Sequence, residues 1–212
     1  FFAYLDKTIG KGNYLTFLTA DHGAVNNAAF LQDQRIPAGI WNGKSMVKEL
    51  NQELKAKFNT DKDLVMTIMN YQVFFHTAAI EETGLDYAAV KQVVVNRLKK
   101  EKIVHYAFDM EKTSTESIPE QLKFRAINGY NRERSGGVQI VLKPAHYEYD
   151  VAKGTSHGAW NPYDIHIPLV FMGWHIQHGA TTLPHYMTDI AATVSALLHI
   201  QAPNGCIGTP IF

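Results

Sequence analysis

Cysteine is nearly absent from this chain, with Cys206 the single one among 212 residues. One thiol excludes an intrachain disulfide and a thiolate cage, so any transition-metal site must be built from histidine and carboxylate. A surplus of either charge is absent too, with 20 Lys and Arg against 20 Asp and Glu. A general nucleic-acid binder would carry a basic excess, so no nucleic-acid-binding surface is expected. Long apolar runs are also missing. The longest nearly apolar stretch, Ile167 to Trp174, falls far short of the roughly 20 residues that a membrane-spanning helix needs. The opening Phe1-Phe2-Ala3-Tyr4-Leu5 has no initiator Met, no basic leader and no cleavage signal. Phe2, Leu5 and Ile9 already follow helical spacing, so the chain is expected to be a piece of something longer, truncated at its N-terminus. What is present is an apolar fraction of 46% and ten histidines. The first suffices for a sizeable core, and the second invites a search for ligands.

Gly10 and Gly12 supply a helix stop and a turn, after which Tyr14 to Ala20 reads as a buried strand, apolar on both faces. Val138 to Leu142 and Ile167 to Gly173 have the same character. A final helix is expected from the cap pair Thr188-Asp189, with Ile190, Val194, Leu197 and Leu198 on one face. These pieces predict an α/β fold with an open, mostly parallel sheet flanked by helices.

The texture changes between residues 44 and 135. Ser45 can cap a helix carrying Val47, Leu50, Leu54 and Phe58. Leu64, Met66 and Ile68 alternate, Tyr71 to Phe75 forms a second β-like run, and Asn70 between them suggests a hairpin. Asp86 can cap a helix through Val90, Val94 and Leu98. Glu111 to Glu120 reads as a polar loop, and Gly136-Gly137 marks a return to the main sheet. Residues 44–135 are thus expected to form an inserted α+β subdomain, with 1–43 and 136–212 making up the main α/β domain.

Chemistry concentrates in two stretches. Ala20-Asp21-His22-Gly23 ends the first apolar strand, and ligands gather at the carboxyl ends of strands in open α/β sheets. A carboxylate and an imidazole are both good ligands for zinc, and Gly23 lets the backbone leave the strand sharply. The competing structural account of the pair is an Asx turn with a histidine packed beside it. Gly154-Thr155-Ser156-His157-Gly158 offers an imidazole between small residues, and taken alone it is best read as a polar loop. Asp164, after Pro162, can orient an imidazole or merely shape a turn, and His166 stands two residues beyond it. Arg132 and Arg134 beside Ser135-Gly136-Gly137 could form a phosphate nest, with a solvated loop the better account. Trp160 could line a pocket. The remaining histidines are assigned to core, edge or solvated positions, with His199 suited to a helix C-terminus.

Taken together, Phe17-Leu18-Thr19-Ala20-Asp21-His22-Gly23, Gly154-Thr155-Ser156-His157-Gly158 and Tyr163-Asp164-Ile165-His166-Ile167-Pro168-Leu169 resemble the alkaline-phosphatase superfamily. The likeness is greatest to its branch of bacterial alkaline phosphatases and nucleotide pyrophosphatase/phosphodiesterases. Asp189 to Val194 and Pro203-Asn204-Gly205 share it. The resemblance covers the whole chain but only the family's C-terminal part. It implies two zinc ions and a Thr or Ser nucleophile that is transiently phosphorylated, with Asp21 and His22 holding one metal and His157 helping to hold the other. Asp164 and His166 would stand behind those ligands. The implied substrate is a phosphorylated small molecule, and the implied location is periplasmic or secreted.

The sequence also departs from the family pattern. The nucleophile segment, an upstream Asp ligand and an Asp-x-x-x-His pair are missing, since no Asp here is followed by His four residues later. Catalytic zinc needs about three protein ligands. Residues 1–212 alone are therefore expected to hold metal weakly, with partial or empty sites, and to hydrolyse nothing. Monoester hydrolysis is favoured for the full protein, with a phosphodiesterase, nucleotide pyrophosphatase or sulfatase as alternatives on the same ligands. A non-catalytic domain binding an anion or a partner is the alternative from another class. Oligomeric state is left open.

Overall fold

The computed structural model describes residues 1–149 and 154–212. In chain order the elements are α1 (Phe2–Thr8), β1 (Leu15–Thr19), α2 (Ala28–Asp33), β2 (Gly39–Trp41), α3 (Gly43–Phe58), β3 (Val65–Met69), β4 (Gln72–Phe75), α4 (Thr77–Glu82), α5 (Tyr87–Leu98), β5 (Val104–Asp109), α6 (Glu120–Asn128), β6 (Val138–Leu142), β7 (His146–Glu148), α7 (Pro162–Ile165), β8 (Leu169–Gly173) and α8 (Thr188–Leu197). They fall into two compact units, one of residues 1–20 with 168–212, the other of residues 21–167.

The second unit holds the main core. Its sheet has the order β3-β4-β6-β5, every pair antiparallel. The β3–β4 hairpin forms where expected, because Asn70 and Tyr71 both adopt positive φ in the two-residue turn. A register shift between Val65 and Thr67 interrupts the expected alternation, leaving Leu64 and Val65 both buried and Met66 exposed. Leu50 and Leu54 of α3 and Val90, Val94 and Leu98 of α5 pack with Val138, Ile140 and Leu142 of β6 in one cluster. Val141 and Phe108, from the opposite sheet face, join Leu122 and Ala126 of α6.

Local signals explain the helix starts. Asp86 caps α5 through the Ala88 and Ala89 amides, as expected. The cap of α3 is Asn42 rather than Ser45, whose amide instead donates to the Asn42 side chain. Asp109 caps a 3-10 helix over Met110–Thr115, so the segment read as a polar loop is partly ordered. Gly136 and Gly137 mark a close approach: a Cβ at 136 would lie 2.7 Å from the Val73 carbonyl oxygen, and Gly137 donates to that oxygen at 2.9 Å.

Two expectations about strands are corrected here. Val138 to Leu142 does not rejoin a separate main sheet; it is an inner strand between β4 and β5, so the boundary set at 135 cuts through this sheet. The mostly parallel pairing is also not found. Among the described residues the one parallel pair is β2–β7, while β1 and β8 run antiparallel. Apolarity on both faces permits burial on both faces, which an inner antiparallel strand such as β6 achieves as well as a parallel one.

The first unit comprises α1, the β1–β8 ribbon and α8. Gly10 and Gly12 take φ of +100° and +81° in the turn after α1. Thr188 is the first residue of α8, and the expected cap pair does not cap it. Asp189 is buried, and its carboxylate accepts the Tyr186 amide at 2.9 Å and the Thr209 amide at 3.0 Å instead.

Candidate metal centre

Three side chains singled out by motif converge within the second unit. The Asp21 side chain is exposed, and its Oδ1 accepts the His22 amide at 3.1 Å in an Asx arrangement. Its Oδ2 lies 3.7 Å from His22 Nε2. The His22 and His157 rings stack with centroids 3.6 Å apart and planes within 3°. His22 Nδ1 lies 2.6 Å from the Gly23 carbonyl oxygen. In the tautomer that donates this hydrogen bond, the lone pair stands on Nε2, toward the Asp21 carboxylate. A backbone carbonyl on the far nitrogen is the usual partner of a metal-bound histidine, because it fixes both tautomer and ring orientation.

The backbone around these rings is zipped together. Gly23 donates to the Asp164 carbonyl at 2.7 Å, and Val25 donates to the Ser156 carbonyl at 3.3 Å. Thr155 Oγ1 donates to the Val25 carbonyl, and Asn27 Nδ2 to that of Gly154. Tyr147 Oη accepts the Ala28 amide at 3.1 Å and donates to Gly154 at 3.1 Å. A Cβ on residue 23 would overlap the Tyr163 carbonyl oxygen, so glycine here permits a backbone-to-backbone approach as well as a sharp exit. Gly158, next to His157, has φ +86° and lies against the Tyr71 ring. Burial pushes the Tyr71 phenol up to about 12, so it stays protonated there and accepts the Glu148 amide at 3.0 Å.

Of the two roles open to Asp164, the structure shows a contact within its own loop. It is 3% exposed and its Oδ2 accepts the Ala159 amide rather than an imidazole. Its Oδ1 has no hydrogen-bond partner among the described residues. His166 follows α7 and is exposed; its amide donates to the Pro162 carbonyl at 2.9 Å, and its imidazole forms no hydrogen bond or ion pair among the described residues. Trp160 packs against the cluster of Phe108, Met110 and Leu122, so it anchors its loop on the core. Arg132 lies 3.5 Å from the Glu111 carboxylate, which makes its loop a poor anion nest. His105 lies in β5 with its side chain exposed, in keeping with a solvated position.

The donor set fits a divalent metal in kind, with a carboxylate and two imidazoles, one already oriented by a carbonyl. It falls short in arrangement: among the described residues, no group of three or more His, Cys, Asp or Glu side chains is placed to hold a metal.

No protein-family model matches the chain. Alkaline phosphatase PafA from Elizabethkingia meningoseptica is 47% identical over 211 residues, covering 100% of this chain and 38% of that protein. The crystal structure of wild-type PafA superposes with a TM-score of 0.94, covering 99% of this chain and 40% of that one. By sequence and by fold, the chain belongs to the alkaline-phosphatase superfamily. Alkaline phosphatase PhoV from Synechococcus elongatus is likewise 47% identical over 221 residues. A Myroides odoratus relative named a calcium-transporting ATPase is 45% identical over 212 residues. The chain spans 38% of the length of these superfamily relatives.

Tyr147, Asn27 and Thr155 were not singled out in the sequence. Their hydroxyl and amide contacts reach the backbone of distant segments, which no local pattern encodes, although Asn27 also caps α2 through the Ala29 and Phe30 amides.

Proposed function

We propose that this chain contributes part of the metal site of a zinc-dependent phosphatase acting on phosphate monoesters, with Asp21, His22 and His157 as its ligands. The observation that carries this reading is the His22 ring. Its Nδ1 is held by the Gly23 carbonyl, and its Nε2 is turned toward Asp21 beside the stacked His157 ring. A metal-binding histidine has its other ring nitrogen held by such a carbonyl. Two zinc ions, with Asp21 and His22 on one and His157 on the other, would supply Lewis-acid stabilisation of the charge that builds on the attacking and leaving oxygens.

The chain's own residues do the positioning. Gly23 and Asp164 fix the main chain on either side of the donors, and the Asp21 carboxylate adds negative charge beside the imidazoles. The phosphorylated Thr or Ser and the remaining ligands would come from outside residues 1–212, so the chain alone would turn over no substrate. In this reading the protein acts in the periplasm or outside the cell, where phosphorylated small molecules are met.

The test is an assay of the full-length protein on monoester, diester and sulfate ester substrates, comparing wild type with His157→Ala. Monoester turnover that falls at least about 100-fold in the variant supports the reading. Equal activity in both proteins removes His157 from the mechanism, and preference for a diester or a sulfate ester reassigns the substrate. Absence of any turnover in the metal-loaded protein favours a non-catalytic anion- or partner-binding role.

A further inference from the structure

We propose that Asp164 is a positioning residue that sets the His157 loop against the Asp21-His22 corner before any metal arrives. This inference rests on the reading of His22 and His157 as metal donors. One residue reaches both donor-bearing segments. Its carboxylate accepts the amide of Ala159, two residues beyond His157, and its carbonyl accepts the amide of Gly23, the residue after His22.

The loop needs such a hold. Gly154 and Gly158 flank His157 with φ of +107° and +86°, and glycines at such angles are free to leave them once released. Trp160 pins the far end of the loop on the subdomain core, and Thr155 and Ser156 pin the near end on Val25. Between those anchors, Ala159 is held by the Asp164 carboxylate. The carboxylate is not the cap of its own short helix, since Asn161 occupies that position. Among the described residues it is buried with no ion pair, and one of its oxygens has no hydrogen-bond partner. An acidic group kept at that cost and aimed at one loop amide fits a part in placing the loop. A site whose donors are already placed loses less conformational entropy on binding metal.

The test uses the 212-residue chain with zinc chloride as probe, followed through the histidine ring resonances and amide hydrogen exchange. Asp164→Ala is expected to speed exchange of the Ala159 amide at least tenfold. It should also raise the zinc concentration for half-saturation of the His157 signals by 10- to 100-fold. Asp164→Asn keeps a carbonyl oxygen for the Ala159 amide and should stay within about threefold of wild type. Protection of the β6 amides reports that the fold persists. Unchanged zinc response and Ala159 exchange in Asp164→Ala overturn the proposal, as does equal loss in both variants. An unprotected Ala159 amide in the wild type overturns it without any variant. A zinc response that survives His157→Ala overturns the donor reading itself, which separates the two failures.

Discussion

Strands β1 and β6 are alike in sequence and opposite in fate. Leu15-Thr16-Phe17-Leu18-Thr19 and Val138-Gln139-Ile140-Val141-Leu142 are both short, β-rich and apolar on both faces. Every residue of β6 is buried, whereas Phe17 is 44% and Leu18 62% exposed. The difference lies in the neighbours. β6 has a strand on each side, α3 and α5 on one face and α6 on the other. Among the described residues β1 pairs with β8 alone, and Val170 and Met172 of β8 are exposed as well. Apolar composition states what a strand is able to bury; the elements stacked on it decide what is buried.

That contrast can be sharpened by substitution. The largest effect is expected at Lys91, whose ammonium is buried beside β6 at 2.8 Å from Asp109 and 2.6 Å from Glu111. Lys91→Met strands the buried Asp109 carboxylate and should cost about 3–5 kcal/mol, read from the urea midpoint. Ile140→Ala, at a fully buried β6 position, should cost about 2–5 kcal/mol in the same measurement. Gly23→Ala forces a methyl group into the Tyr163 carbonyl. It should cost about 1–3 kcal/mol and abolish the ring-current signature of the His22–His157 stack in proton NMR spectra.

The pH profile isolates the ion cluster. Burial pulls Lys91 down, but hydrogen bonds to Asp109 and Glu111 outweigh it and leave Lys91 above its ordinary 10.5. The Lys91 hydrogen bond holds Glu111 below its ordinary 4.5, against a smaller opposing effect of burial. A raised amine adds stability that is complete below pH 10.5 and is lost as pH climbs through the folded value. A depressed carboxyl adds stability that is complete above pH 4.5 and is lost as pH falls through the folded value. The Tm difference between wild type and Lys91→Met should therefore be level between about pH 5 and 10 and shrink on either side. Leu18→Ala should give the smallest change, within about 0.5 kcal/mol. A loss as large as that of Ile140→Ala would mean that β1 is covered in solution and would end the comparison.

Sequence reading went furthest where the signal is local. The β3–β4 turn at Asn70, the Asp86 cap and the extent of β6 stood in the residues themselves. β5 and α6 did not. Val104 to Asp109 interleaves polar residues with apolar ones, and α6 leaves Phe124 and Ile127 exposed, so neither shows a clean period. Asp21, His22 and His157 were singled out because their small neighbours form a recognisable family pattern, and the structure stacks the two imidazoles. For Asp164 the sequence left an imidazole partner and a turn role open, and the carboxylate meets the Ala159 amide, since an acidic residue in a loop offers no hint of which amide it will meet.

The sequence by itself determined the kind of chemistry. One cysteine, ten histidines and an Asp-His-Gly corner restrict a metal site to imidazole and carboxylate, because those are the donors available. Glycine at 23 and apolar runs at β1, β6 and β8 followed from residue type alone. Only the tertiary structure decided which strands pair, which apolar faces are covered, and that the His157 ring lies on the His22 ring. Those facts depend on packing and on backbone hydrogen bonds between segments far apart in the chain, and such contacts form between surfaces that no local window contains.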